Sequence, residues 1–259
     1  MRKISILLIV GILLIACRQV SIWGGQVPAG KTVSGCRTNV DGLSGLINGL
    51  EIPKYFLAEN PAKQGGELDV IKYFDVLDHL SMQPGYALDY VYHYDGMGGY
   101  PVLYAYPATR APYATESDLV AEGELPTYLD YVRTDGTPEG YLQYVLLAIM
   151  GNQFYLNWHA NYNDAMLICD KAEVMQVVAM TDHISGSPMP LKGRIQARFL
   201  KNVEPHISIG EETIEVQIVT FTQWGGFYRK TYTLQRSFPH AILDIREENI
   251  LPYDCGVLF

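Results

Sequence analysis

Basic side chains are scarce in this chain: 19 lysines and arginines stand against 28 aspartates and glutamates in 259 residues, a formal charge of −9. That shortage argues against a nucleic-acid partner, because a polyanion would be repelled rather than gathered. Charge is sparse altogether at 18%, while 48% of residues are hydrophobic, which excludes a disordered chain and leaves enough apolar side chain for a real core. Metal-site patterns are lacking too. The six histidines (His79, His93, His159, His183, His206, His240) include no His-x-His pair and no His-Glu-x-x-His helix, so neither a metal nor a cofactor is expected. There is no Gly-x-Ser-x-Gly elbow, which removes the usual α/β-hydrolase serine. Tryptophan and cysteine are few, at three and four, whereas tyrosine is in excess, at 19 residues.

The opening residues are organised for export. Arg2 and Lys3 precede an apolar run from Ile4 to Ile15, too short for a comfortable membrane span but fitting the n-region and h-region of a signal peptide. The run ends in Leu14-Ile15-Ala16-Cys17. This segment resembles the lipobox of bacterial lipoproteins, a likeness confined to residues 1–17. The resemblance implies diacylation of the Cys17 sulfur, with palmitate-type chains, then removal of residues 1–16 and acylation of the new amino terminus. Two or more acyl chains give a stable anchor where one would be marginal. Losing Arg2 and Lys3 would leave 17 basic against 28 acidic side chains, a charge of −11. Arg18 stands where an aspartate would favour inner-membrane retention in the lipoproteins that the segment resembles. The expected location is the cell envelope, facing periplasm or exterior.

Three segments are expected: a signal over 1–16, a lipidated tether and irregular stretch over 17–52, rich in Gly, Ser and Asn, and a single globular domain over 53–259. Apolar residues Leu68, Ile71, Phe74 and Leu77 predict a helix over Glu67–Leu80. Alternation from Tyr86 to Tyr94, glycines at 96, 98 and 99, and a second run from Tyr100 to Tyr106 predict a tyrosine-rich hairpin. Thr137-Pro138-Glu139 predicts a helix start, with the helix running to Met150 and Gly151 as a left-handed cap. Strands are expected over 154–158, 165–169, 194–200, 213–222, 227–236 and 241–246, and 172–180 is open between helix and strand. The short turns between the later strands make the C-terminal half an antiparallel meander. The fold class is therefore α+β, a predominantly antiparallel sheet carrying two or three helices on one face.

Gly25-Gln-Val-Pro-Ala-Gly-Lys31-Thr32 spells a phosphate-binding loop, and Asp170 ends an apolar run that could mimic its magnesium-holding strand. Neither has the strand-then-helix context that the motif requires. Beside Cys17, three thiols remain, an odd number for a compartment that permits disulfides. Cys169 sits in an apolar run and reads as a buried thiol, so Cys36 and Cys255 form the expected pair.

The densest polar and aromatic cluster runs from Asn157 to Asp164, and Trp158, His159, Asn161, Tyr162 and Asp164 are candidate ligand contacts, with Trp224 on a second aromatic turn. An Asn- and Asp-rich turn that satisfies its own backbone is the plainer account of the same residues. Three functions stay open: a non-enzymatic lipid-anchored protein that binds a small molecule, a glycan or a protein; an extracytoplasmic hydrolase using His159 with Asp164 or His183 with Asp182; and a structural or assembly lipoprotein. The first is preferred, because no nucleophile, metal or paired-carboxylate motif supports catalysis.

Overall fold

The tyrosine excess goes largely into the core. In the computed structural model, which describes residues 30–157, 165–183 and 187–256, Tyr73, Tyr90, Tyr92 and Tyr144 are fully buried. A buried phenol needs a partner, and most find one on the backbone. Tyr73 donates to the Gly151 carbonyl at 2.8 Å, Tyr92 to that of Tyr155 at 2.7 Å, and Tyr144 to that of Leu129 at 3.2 Å. Burial pushes the Tyr92 phenol up to about 12. These tyrosines serve as apolar posts pinned to loops at their tips.

In chain order the elements are β1 (Lys31–Thr32), α1 (Cys36–Ile47), a 3-10 turn (Lys54–Leu57), a second one (Val70–Lys72) running into α2 (Tyr73–Val76), and β2 (Leu80–Met82). The hairpin β3 (Tyr86–Tyr94) and β4 (Gly99–Pro107) follows, then α3 (Glu116–Ala121), a 3-10 turn (Tyr128–Tyr131), β5 (Val132–Thr134) and α4 (Pro138–Met150). The rest comprises β6 (Met166–Ile168), α5 (Lys171–Met180), α6 (Leu191–Arg198), β7 (His206–Ile209), β8 (Thr213–Thr222), β9 (Gly226–Gln235) and β10 (Ile242–Pro252). The main sheet runs β1-β7-β8-β9-β10, all antiparallel. β8 is long enough to take β7 along Ile214–Gln217 and β6 along Val219–Phe221 on the same edge. β2 pairs with β5, and β3 with β4, as separate two-stranded ribbons. The α+β class and the antiparallel C-terminal meander are as expected from the sequence.

The expected single helix-bearing face is corrected. On β8, Ile214, Val216 and Ile218 point to one cluster with Leu43 of α1 and Leu142 and Leu146 of α4. Val219 and Phe221, of the opposite parity, point to another with Val174 and Val178 of α5 and Ala197 of α6. Helices therefore cover both faces of the sheet, displaced along its strands.

Several local expectations also change. The stretch 17–52 is not irregular throughout, because 36–47 is α1, whose Cys36, Asn39, Leu43 and Ile47 are buried. The helix expected over 67–80 shrinks to the turn at 70–72 and α2, and Val70, Tyr73 and Leu77 form its inner stripe while Ile71 is exposed. The strand expected over 194–200 is helix α6 for most of its length, and 172–180 is helical. Of 154–158, only Asn157 forms a bridge, to Gly99. α4 has the expected bounds and its Thr137 cap, but Gly151 is right-handed at φ −60°. Cys17 and the cluster Trp158, His159, Asn161, Tyr162 and Asp164 lie outside the described residues.

Candidate functional site

The expected Cys36–Cys255 bridge is overturned: Cys36 is bonded to Cys169, with Cα atoms 5.6 Å apart, and Cys255 is a buried free thiol in the second core. The bridge joins the first residue of α1 to the residue ahead of the α5 cap. A second tie lies beside it. Arg37 forms an ion pair with Glu173, whose side chain is buried and also accepts from the Cys169 amide. Asp170 caps α5 by accepting from the Glu173 amide at 2.9 Å. A carboxylate buried this far is tolerable because cation and amide together replace its water.

The Arg37–Glu173 pair lines an amphipathic cleft of about 450 Å³ between α1, the end of α4, and β6. Its apolar lining comes from Val40 and Ile47 of α1, Ile149 and Met150 of α4, and Leu156 and Leu167. Its polar lining is Arg37, Asp41, Ser44, Asn48, Gln153 and Glu173. An apolar cleft with a few polar groups converging on it has the character of a small-molecule site. One cation meets two carboxylates, since Arg37 faces Glu173 and lies 4.0 Å from Asp41, and the charged lining sums to −1. A neutral or zwitterionic group would meet less electrostatic penalty here than a strong anion. Leu156 and Ala165 both line the cleft.

Two other hollows adjoin the tyrosine hairpin. One, of about 530 Å³, lies against β4 and is lined by Tyr100, Leu103, Tyr128 and Asn152 among others. The other, of about 340 Å³, holds the Lys63–Asp89 ion pair, with the Lys63 ammonium 4.5 Å from the centre of the Tyr90 ring. At its rim the hydrogen bond to Glu67 holds the Tyr55 phenol up at about 12. Burial pushes the Glu67 carboxyl up, but this bond and the amides of Gln64 and Gly65 outweigh it and leave the group below its ordinary value.

Of the residues expected at a site, Trp224 is half-buried against the second core. Asp182 is engaged by Arg194, held from two guanidinium nitrogens, and so is not poised as partner to the exposed His183. Two other histidines do meet acids: His79 with Asp135 and His93 with Glu116, each at 2.7 Å. Neither lines the clefts described above. Lys31 and Thr32 of the phosphate-loop spelling are extended in β1, and Asp170 is the α5 cap, so the helix that the motif needs does not open there. Among the described residues no three metal-ligating side chains converge, and no helix is long and apolar enough to cross a membrane. The cleft escaped sequence reading because its lining is drawn from four separate stretches, and α1 was hidden by its glycines. Comparison with protein-family models, curated proteins and solved structures finds no match to the chain.

Proposed function

We propose that this chain is a lipid-anchored extracytoplasmic protein, tethered through Cys17, that binds a small amphipathic ligand in the α1–α4–β6 cleft without catalysing a reaction on it. The cleft carries the reading, since it couples an apolar lining to a polar rim of one cation and two carboxylates, and among the described residues its lining holds no histidine and no thiol. The Cys36–Cys169 bridge supports the compartment, because structural disulfides persist where the surroundings are oxidising. The signal-like opening and its lipobox support the anchor.

Native extraction of the protein from membranes, followed by intact-mass analysis, tests both halves. The expected species starts at Cys17, carries acyl chains and the disulfide, and releases a small molecule on denaturation. Ile149→Trp, which fills the cleft, should abolish that release while acylation persists. A chain still starting at Met1 without acyl groups refutes the anchor. Equal ligand recovery from the filled variant refutes the cleft.

A further inference from the structure

Helix α6 is built the wrong way round for a helix whose only task is packing. Its inner face presents Gly193 and Ala197, both buried, while Leu191, Ile195 and Phe199 at its outer face and C-terminal end are 73%, 47% and 74% exposed. The spacing of four puts these three on one stripe. Large apolar side chains left in water along one stripe mark a surface that something else covers.

The charge around the stripe indicates what covers it. Residues 184–203 hold Lys192, Arg194, Arg198 and Lys201 and not one acid, in a chain with 28 acidic and 19 basic residues. Arg194 is spent on Asp182, but Lys192, Arg198 and Lys201 have no ion-pair partner among the described residues. The helix is also held firmly. Lys171 donates to the carbonyls of Ala197 and Leu200, each at 2.7 Å, closing the C-terminal end. A basic helix with an exposed apolar stripe suits the boundary between anionic headgroups and acyl chains.

The tether brings that boundary within reach. Gly30 packs on His206, Ile207 and Ser208, where the chain from residue 29 joins the sheet beside β7. Phe199 is seven residues ahead of His206, so α6 ends within about 25 Å of that junction. Thirteen residues from Cys17 to Gly30 can span at most about 45 Å.

We infer that α6, through Leu191, Ile195 and Phe199 with Lys192, Arg198 and Lys201, docks on the anionic lipid surface in which the protein is anchored. This deepens the anchored reading and rests on it for proximity. Docking would fix the orientation of the body over the bilayer, an outcome that acyl chains on a tether cannot achieve alone.

The test uses the full-length protein from membranes, its acyl mass measured first. It is reconstituted into vesicles of phosphatidylcholine alone or mixed with phosphatidylglycerol, or kept in neutral detergent micelles. Backbone hydrogen exchange over 190–202 should slow about tenfold in the mixed vesicles relative to micelles and recover at high salt. Neutralising Lys192, Arg198 and Lys201 to Gln should weaken the preference for anionic lipid by about fivefold per charge. Ile195→Ser with Phe199→Ser should remove the protection in every vesicle. All five positions are exposed, and an unchanged melting temperature shows that the variants fold. Equal exchange in micelles and both vesicle types, on a protein whose acylation is confirmed, overturns the docking and leaves the anchor standing. Protection that rises with protein concentration in micelles assigns the stripe to a second copy and equally overturns it. Protection on mixed vesicles by a chain found to lack acyl groups upholds docking and defeats the anchor.

Discussion

At the scale of single residues, the Thr137 hydroxyl links a helix cap to a charged pair. It accepts from the Gly140 amide at 3.0 Å and donates to Asp135 at 2.6 Å, while Asp135 holds His79. The bond to Asp135 raises the His79 ring above its ordinary 6.5 against the opposing effect of burial. Burial pushes Asp135 up, but hydrogen bonds from Thr137 and His79 together outweigh it and leave the carboxyl below its ordinary 3.8. His79 therefore contributes stability that is full below about pH 6.5 and lost as pH rises through its raised folded value. Asp135 contributes stability that is present above about pH 4 and lost as pH falls through its lowered folded value. The pair should add most between those limits. His79→Gln should flatten the loss of stability above pH 6.5, by no more than about 1 kcal/mol because the pair is screened by water; urea unfolding at several pH values measures it. The cap was legible in the sequence, since Thr137, Pro138 and Glu139 stand side by side. The disulfide was not, because Cys36 and Cys169 are 133 residues apart and meet only in the folded chain. Alkylation of the denatured, unreduced body should mark Cys255 and neither Cys36 nor Cys169. Marking of Cys169 instead would restore the pairing expected from sequence. Breaking the bridge with Cys36→Ser should cost about 4–5 kcal/mol, given the 133-residue separation.

Among elements, those with strong local signals are the ones that match expectation. The hairpin, α4, β8 and β9 each carry alternation or a cap within their own span. α6 misled because Ile195, Ala197 and Phe199 alternate as in a strand, whereas the fold buries only the small Ala197 and leaves the large two outside. Residues 68–77 misled through a spacing of three, which suits a 3-10 turn as well as a helix. α1 was missed because Gly42 and Gly45 lower helix propensity, although tertiary contact makes one of them necessary. A Cβ on Gly42 would meet Val76 Cγ1 at 2.6 Å, so this glycine permits the approach of α1 to α2, while a Cβ on Gly45 meets nothing within 4 Å. The two substitutions should have opposite signs. Gly42→Ala should destabilise by about 1–3 kcal/mol through overpacking, and Gly45→Ala should stabilise by about 0.5–1 kcal/mol by restricting the unfolded chain. Thermal unfolding of the pair, side by side, decides it.

For the molecule as a whole, the question is whether two cores on opposite faces of one sheet behave as one. Along β8 the burial passes from the Ile214–Val216–Ile218 face to the Val219–Phe221 face without a gap, and the four residues from Ile218 to Phe221 are buried on both sides. β9 repeats the change, with Phe227 serving the second core and Tyr232 and Leu234 the first. Since the two strands hydrogen-bond over their full length, neither cluster can open without exposing ladder groups that the other cluster keeps dry. Separate folding would require β8 and β9 to be half formed, which leaves unpaired amides in an apolar setting. Val216→Ala and Phe221→Ala should therefore lower one shared transition. The valine should cost about 2–4 kcal/mol and the phenylalanine about 3–5 kcal/mol, each by the size of the cavity left behind. Near-ultraviolet circular dichroism and amide hydrogen exchange of α4 and α5 should report the same midpoint in each variant. A Phe221→Ala protein in which α5 and α6 melt ahead of α4 would show that the second core is a separate cooperative unit docked on the first. In that case the orientation of α6 at a membrane would be decoupled from the cleft on the other face.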